Sequence, residues 1–173
     1  MDGARFANAL VSLDVTPAEM TWRSGVDVLS FGGTKNGCLA AEAVIFFNTA
    51  LVGDFAFRHK RAGQLLSKMR FVSAQLLGYL NNDVWLKNAR QANAMATRLS
   101  EGLCKLPGVD LAYPTRSNEV FVSMSASLID ALRQRGIAVN DEELDGKAVR
   151  FVAAWNTQPH EVDDLIATIA GCV

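Results

Sequence analysis

Lys35 stands in the run Ser30-Phe31-Gly32-Gly33-Thr34-Lys35-Asn36-Gly37, fenced by small and hydroxyl-bearing residues. Apolar, strand-like segments flank it, Val26 to Phe31 before and Ala43 to Phe47 after. A lysine on a short glycine loop between two buried strands is expected to be desolvated. Its ammonium then sheds a proton, and the free amine can form a Schiff base with a carbonyl. The plainer reading is a surface-loop lysine. Three further charged motifs draw attention: Asp2-Gly3-Ala4-Arg5, Arg58-His59-Lys60-Arg61, and Arg150 within Val149-Arg150-Phe151-Val152. Each has an ordinary alternative. Asp2 could cap a helix, Arg5 and Lys60 could belong to solvated faces, and Arg150 could lie on a strand edge facing water.

Bulk properties narrow the class. The chain has 173 residues, half of them hydrophobic and a fifth charged, which fits a packed core rather than disorder. A net charge of −1 argues against a nucleic-acid binder that works by neutralising phosphates. No apolar run approaches the ~20 residues that span a bilayer, and Met1 to Arg5 shows no signal-peptide pattern. Cys38, Cys104 and Cys172 are widely spaced, and only His59 and His160 are present, so neither a disulfide framework nor a metal centre is expected. A reduced, cytoplasmic protein is the expectation.

The elements that must position these residues read as follows. Residues 4–12 form a short helix, and Thr16-Pro17-Ala18-Glu19 caps a second. Residues 26–31 and 40–47 are strands, apolar enough to be covered on both faces. Residues 67–104 carry helical periodicity through Leu76, Leu77, Leu80, Trp85, Ala89, Ala92, Ala96, Leu99 and Leu103. Gly78 and Asn81-Asn82-Asp83 break that run, and Pro107-Gly108 closes it. Beyond it come strands at 109–113 and 119–124, a helix at 127–135, strands at 137–139 and 148–152, and a helix at 161–170 capped by Thr157. The class is α/β. Residues 1–82 form part of a larger sheet domain, and residues 83–173 a linking helix with a small α+β domain. The strands around Lys35 call for sheet neighbours that the opening residues do not supply.

Taken in order, Asp2 to Ala9 (Asp-Gly-Ala-Arg-Phe-Ala-Asn-Ala), the Ser-Phe-Gly-Gly-Thr-Lys-Asn-Gly loop, Phe57 to Arg70 and Val149 to Trp155 resemble the threonine aldolases. Those are pyridoxal-phosphate enzymes of the aspartate-aminotransferase fold, type I, and the match runs along the back half of their sequence. The resemblance implies that Lys35 holds the cofactor as a Schiff base and that Asp2 pairs with its pyridinium nitrogen. It also implies that Arg150 grips the substrate α-carboxylate in a bidentate fork, with Arg5 nearby, and that Lys60 is an active-site neighbour. The implied reaction is retro-aldol cleavage of L-threonine or a related β-hydroxy-amino acid to glycine and an aldehyde. The implied assembly is a homo-oligomer, dimer or tetramer.

The family's phosphate-binding loop and the histidine that stacks on the cofactor belong to its front half. Weak cofactor binding and little or no turnover by this chain alone are therefore expected. Lys35 and Asp2 are shared across the fold, so a β-eliminating lyase or an aminotransferase stays open. A non-catalytic fragment is the reading from a different class.

Overall fold

Asp2–Gly3 (β1) runs parallel to Val28–Gly32 (β2), with Asp2 opposite Ser30 and Gly3 opposite Phe31. Glu42–Phe46 (β3) returns antiparallel to β2, with Gly32 opposite Glu42 and Val28 opposite Phe46. Phe6–Leu13 (α1) follows β1 directly and buries Phe6, Ala7, Asn8 and Leu10. Thr16 caps Pro17–Met20 (α2) through a reciprocal box, accepting from the Glu19 amide while its own amide donates to Glu19 Oε2 at 2.8 Å. Phe55–Arg61 (α3) and Arg70–Leu80 (α4) come next, and Val84–Leu103 (α5) follows a 3-10 turn at Asn81–Asp83. In that turn Asn82 and Asp83 both take left-handed backbone angles, which breaks the helical run where the sequence puts the break. Gly78 breaks nothing, since it lies inside α4.

These elements come from a computed structural model that describes residues 1–140 and 148–173. They divide into two compact units, Met1–Asn88 and Ala89–Val173, and the division falls within α5. The region expected at 83–173 therefore includes seven residues, 141–147, outside the described ones.

The first unit is centred on Phe6, Leu10, Leu29, Phe31 and Tyr79. Four aromatic rings pack there. Phe6 stacks on Trp85 at 6.4 Å, and Phe31 meets Phe6, Tyr79 and Trp85 at 5.8–6.1 Å. Two expectations are corrected. β3 is not covered on both faces, because Val44 and Ile45 are exposed and, among the described residues, β3 has a paired strand on one side only. In α4 the inward residues are Tyr79 and, partly, Leu76. Leu77 and Leu80 each lie one residue further round the helix, about 100° away, and are exposed.

In the second unit Asp110–Leu111 (β4), Glu119–Ser123 (β5) and Val149–Val152 (β6) form an antiparallel sheet in the order β4-β5-β6. Ala126–Gln134 (α6) and Pro159–Ala170 (α7) complete it. Val120, Val122, Val149 and Phe151 point inward with Leu99 and Leu103 of α5, Leu132 of α6 and Ile169 of α7. Residues 137–139 are not a strand: after Gly136 (φ +79°) the chain makes a single bridge, Asn140 to Arg150. Thr157 is not the cap of α7. Its hydroxyl accepts from the Ala154 amide, and Gln158 takes the cap position, donating its amide to Glu161 Oε2 at 2.7 Å. Among the described residues no helix is long and apolar enough to cross a membrane.

Candidate active site

The parallel pair β1–β2 brings two of the sequence motifs to one end of the sheet. Both strands finish there, Asp2 and Gly3 at the end of one and Gly32 at the end of the other. Carboxyl ends of parallel strands are where open α/β sheets bind ligands. Arg5 follows β1 after one residue, and Lys35 follows β2 on a 3-10 turn, Thr34–Asn36.

Gly32 is what lets the motifs touch. A Cβ built there would lie 2.9 Å from Ala4 Cα, so no larger residue fits without moving the Asp2-to-Arg5 segment. Asp2 is exposed and its Oδ1 accepts from the Ala4 amide at 2.9 Å, holding the carboxylate over the start of that segment. The helix cap position itself belongs to Arg5.

The lysine turn is tied down on both sides. The Gly33 amide donates to Ala41 O at 2.9 Å, and the Thr34 hydroxyl accepts from the Ala41 amide at 3.2 Å. The Thr34 amide reaches Glu42 Oε1 at 3.3 Å. Gly37 leaves the turn at φ +119°, where a side chain would be strained. Asn36 is buried beneath the turn and donates to Tyr79 Oη at 2.7 Å and to Trp85 O at 2.8 Å. Its own carbonyl accepts from Asn88 Nδ2 at 2.9 Å. Burial pushes the Tyr79 phenol up to about 12, outweighing the Asn36 hydrogen bond, so the ring stays neutral. Burial, with Glu42 adding to it, also pushes the Cys38 thiol up and leaves it a poor nucleophile.

Lys35 itself corrects an expectation. Its neighbours Gly33 and Asn36 are buried, but the lysine is exposed, so this chain fixes the turn without desolvating the side chain. Lys60 is exposed on α3. That helix is anchored by Phe55 against Phe46 at 5.0 Å, and Phe46 pairs with Val28 at the far end of the β2–β3 ladder from Lys35. Asp2, Arg5 and Lys35 thus lie at or just after the carboxyl ends of two adjacent parallel strands, whereas the helix that carries Lys60 is anchored at the other end of the ladder. In the second unit, half-buried Arg150 on β6 donates from Nη1 to Glu119 Oε1 on β5 at 3.1 Å. Glu119 and the Asn36–Tyr79–Asn88 group are site features the sequence reading passed over. A buried-face amide next to a loop lysine was the available signal for the second.

The family model described as "Beta-eliminating lyase" matches residues 1–127. A low specificity L-threonine aldolase of Pseudomonas sp. (strain NCIMB 10558) is 48% identical over 169 residues, covering 98% of this chain and 49% of that protein. The Pseudomonas aeruginosa protein of the same name is 47% identical over the same coverage. The chain thus spans about half the length of the curated relatives it matches. Among solved structures, a Leishmania major threonine aldolase superposes with a TM-score of 0.83 at 28% identity, over 97% of this chain and 49% of that one. A lysine aminotransferase of M. tuberculosis, at 21% identity and TM-score 0.56, shares the fold over 99% of this chain and 40% of its own.

Proposed function

The chain belongs to the beta-eliminating lyase family and has the type I fold of pyridoxal-phosphate enzymes, and from that premise we propose that it serves cleavage of L-threonine and related β-hydroxy-amino acids to glycine and an aldehyde. The observation that carries the proposal is the placement of Asp2 and Lys35 at the carboxyl ends of adjacent parallel strands, packed together through Gly32. A carboxylate and an amine so placed fit the two ends of a pyridoxal ring, its nitrogen and its carbonyl. Pyridoxal phosphate, when bound, supplies the electron sink for the pair released as the Cα–Cβ bond breaks.

This chain's residues do the rest. Asp2 would keep a proton at the ring nitrogen, because a carboxylate beside it stabilises the charged form. Lys35 would hold the cofactor through its amine and, once freed, could carry a proton. In the second unit, Arg150 presents guanidinium N–H groups to the substrate α-carboxylate, with Glu119 setting its orientation. Arg5 serves the same carboxylate, and Lys60 is assigned to the site's surroundings on the strength of the resemblance alone. We assign a homo-oligomeric state, supported by exposed Leu39, Phe57 and Leu77. A cytoplasmic location is supported by three free thiols, Cys38, Cys104 and Cys172.

Slow release of glycine from L-threonine in excess pyridoxal phosphate, absent in Lys35→Ala, is the expected result. Keto-acid release instead would identify an aminotransferase. Ammonia with keto acid and no glycine would identify the β-eliminating reading, which the family description favours as second choice.

A further inference from the structure

A lysine that must meet a carbonyl carbon needs a fixed backbone beneath it, since small misplacements of a reacting group cost large factors in rate. Lys35 is exposed and rides on a 3-10 turn of three residues, Thr34–Asn36, which is an intrinsically weak element. Its neighbour Asn36 is the one buried residue of that turn, at 3% exposure.

We propose that Asn36 is the positioning residue for Lys35, locking the lysine turn onto the α4–α5 junction through Tyr79, the Trp85 carbonyl and Asn88. The inference rests on the reading of Lys35 as the Schiff-base residue. The three partners come from separate places: Tyr79 from the last turn of α4, Trp85 from the first turn of α5, and Asn88 one turn later. Both amide hydrogens of Asn36 are used, on Tyr79 Oη at 2.7 Å and Trp85 O at 2.8 Å. The backbone carbonyl is used as well, by Asn88 Nδ2 at 2.9 Å. A side chain so committed cannot rotate without leaving buried polar groups unmet. The Tyr79 and Trp85 rings also pack on Phe31, two residues before Gly33, so the strand entering the turn and the turn itself share one support. Lys35, Cys38, Glu42, Asp83 and Lys87 are titratable side chains on the nearby segments, and none of them accepts from the Asn36 amide; Tyr79, which does, keeps its proton until about 12 because it is buried.

The test is reductive labelling of the full 173-residue chain with pyridoxal 5'-phosphate and borohydride, with the rate at each lysine read by peptide mass mapping. In the unmodified chain Lys35 is expected to label faster than Lys60 and Lys105. Asn36→Ala and Tyr79→Phe are expected to slow labelling at Lys35 about fivefold or more, the scale of a lost buried hydrogen bond, and to leave Lys60 and Lys105 unchanged. Leu132→Ala, in the core of the second unit, controls for stability: it should lower the melting temperature and spare Lys35 selectivity. Should Asn36→Ala not fold, Tyr79→Phe and Asn88→Ala carry the test. Selective labelling of Lys35 that survives Asn36→Ala, or Tyr79→Phe with Asn88→Ala, overturns the positioning role and leaves the Schiff-base reading standing. Absence of Lys35 selectivity in the unmodified chain overturns both.

Discussion

At the scale of single residues, the site is a contrast between an exposed reactive amine and a buried polar support. Tyr79 shows what that support does to ionisation. Its phenol is raised from 10.0 to about 12 in the folded chain, chiefly by burial. The folded state therefore keeps its proton where the unfolded chain loses it, so the stabilisation is whole below pH 10 and drains away between 10 and 12. Tyr79→Phe should flatten the loss in urea unfolding followed across that range. An unchanged slope in the phenylalanine variant would sink the assignment. Asp163 acts on the acid side. Its carboxylate takes Arg98 in a fork, at 2.7 and 2.8 Å, and this pairing holds it below the usual carboxylate range. Here the contribution is present above the unfolded value and fades as pH falls. Asp163→Asn should lower the unfolding midpoint at pH 7 slightly and lose that difference in acid.

At the scale of elements, the β1–β2 pairing is what converts two distant motifs into one site, and Gly3 and Gly32 are its close contacts, at 2.5 Å to Ser30 O and 2.9 Å to Ala4 Cα for an added Cβ. Gly32→Ala would drive a methyl to within 2.9 Å of Ala4 Cα and should cost roughly 1–3 kcal/mol, as overpacking does. Denaturant unfolding would give the cost, and slower pyridoxal labelling at Lys35 should accompany it. A neutral outcome on both would show that β1 is not seated on the lysine loop. Much of this was legible beforehand. The capping box at Thr16 and Glu19 and the break at Asn81-Asn82-Asp83 each follow from local chemistry that a short window of residues contains. What local chemistry does not contain is pairing partners. Val44 and Ile45 read as buried because their types suit a covered strand, yet burial depends on what lies across the sheet. Residues 137–139 failed as a strand for the same reason: a β-branched run becomes a strand only where a ladder accepts it. Asn36 was passed over because its importance lies in Tyr79 and Asn88, some 43 and 52 positions away.

At the scale of the whole molecule, the chain carries both the lysine turn and the arginine strand while spanning about half of its relatives' length. Leu39, Phe57 and Leu77 are 88%, 79% and 72% exposed and are the apolar side chains available to a second copy. Sedimentation of the purified chain should show concentration-dependent association, reduced by Phe57→Glu with Leu77→Glu. A strict monomer at all concentrations would remove the support for an oligomer. With Lys35 exposed, titration with pyridoxal phosphate should give weak absorbance changes that dialysis reverses and Lys35→Ala abolishes. Tight stoichiometric binding would overturn that expectation. Because the two units meet within one unbroken helix, Val84–Leu103, there is no loop at the Asn88–Ala89 division in which to gain or lose a codon. Met95, Ala96, Leu99 and Leu103 share one core face of that helix, so a one-codon insertion between Ala96 and Leu99 would turn the residues beyond it by about 100° and split the face. Length changes among related genes should therefore gather in the stretches at 62–69 and 113–118, and stay out of 84–103.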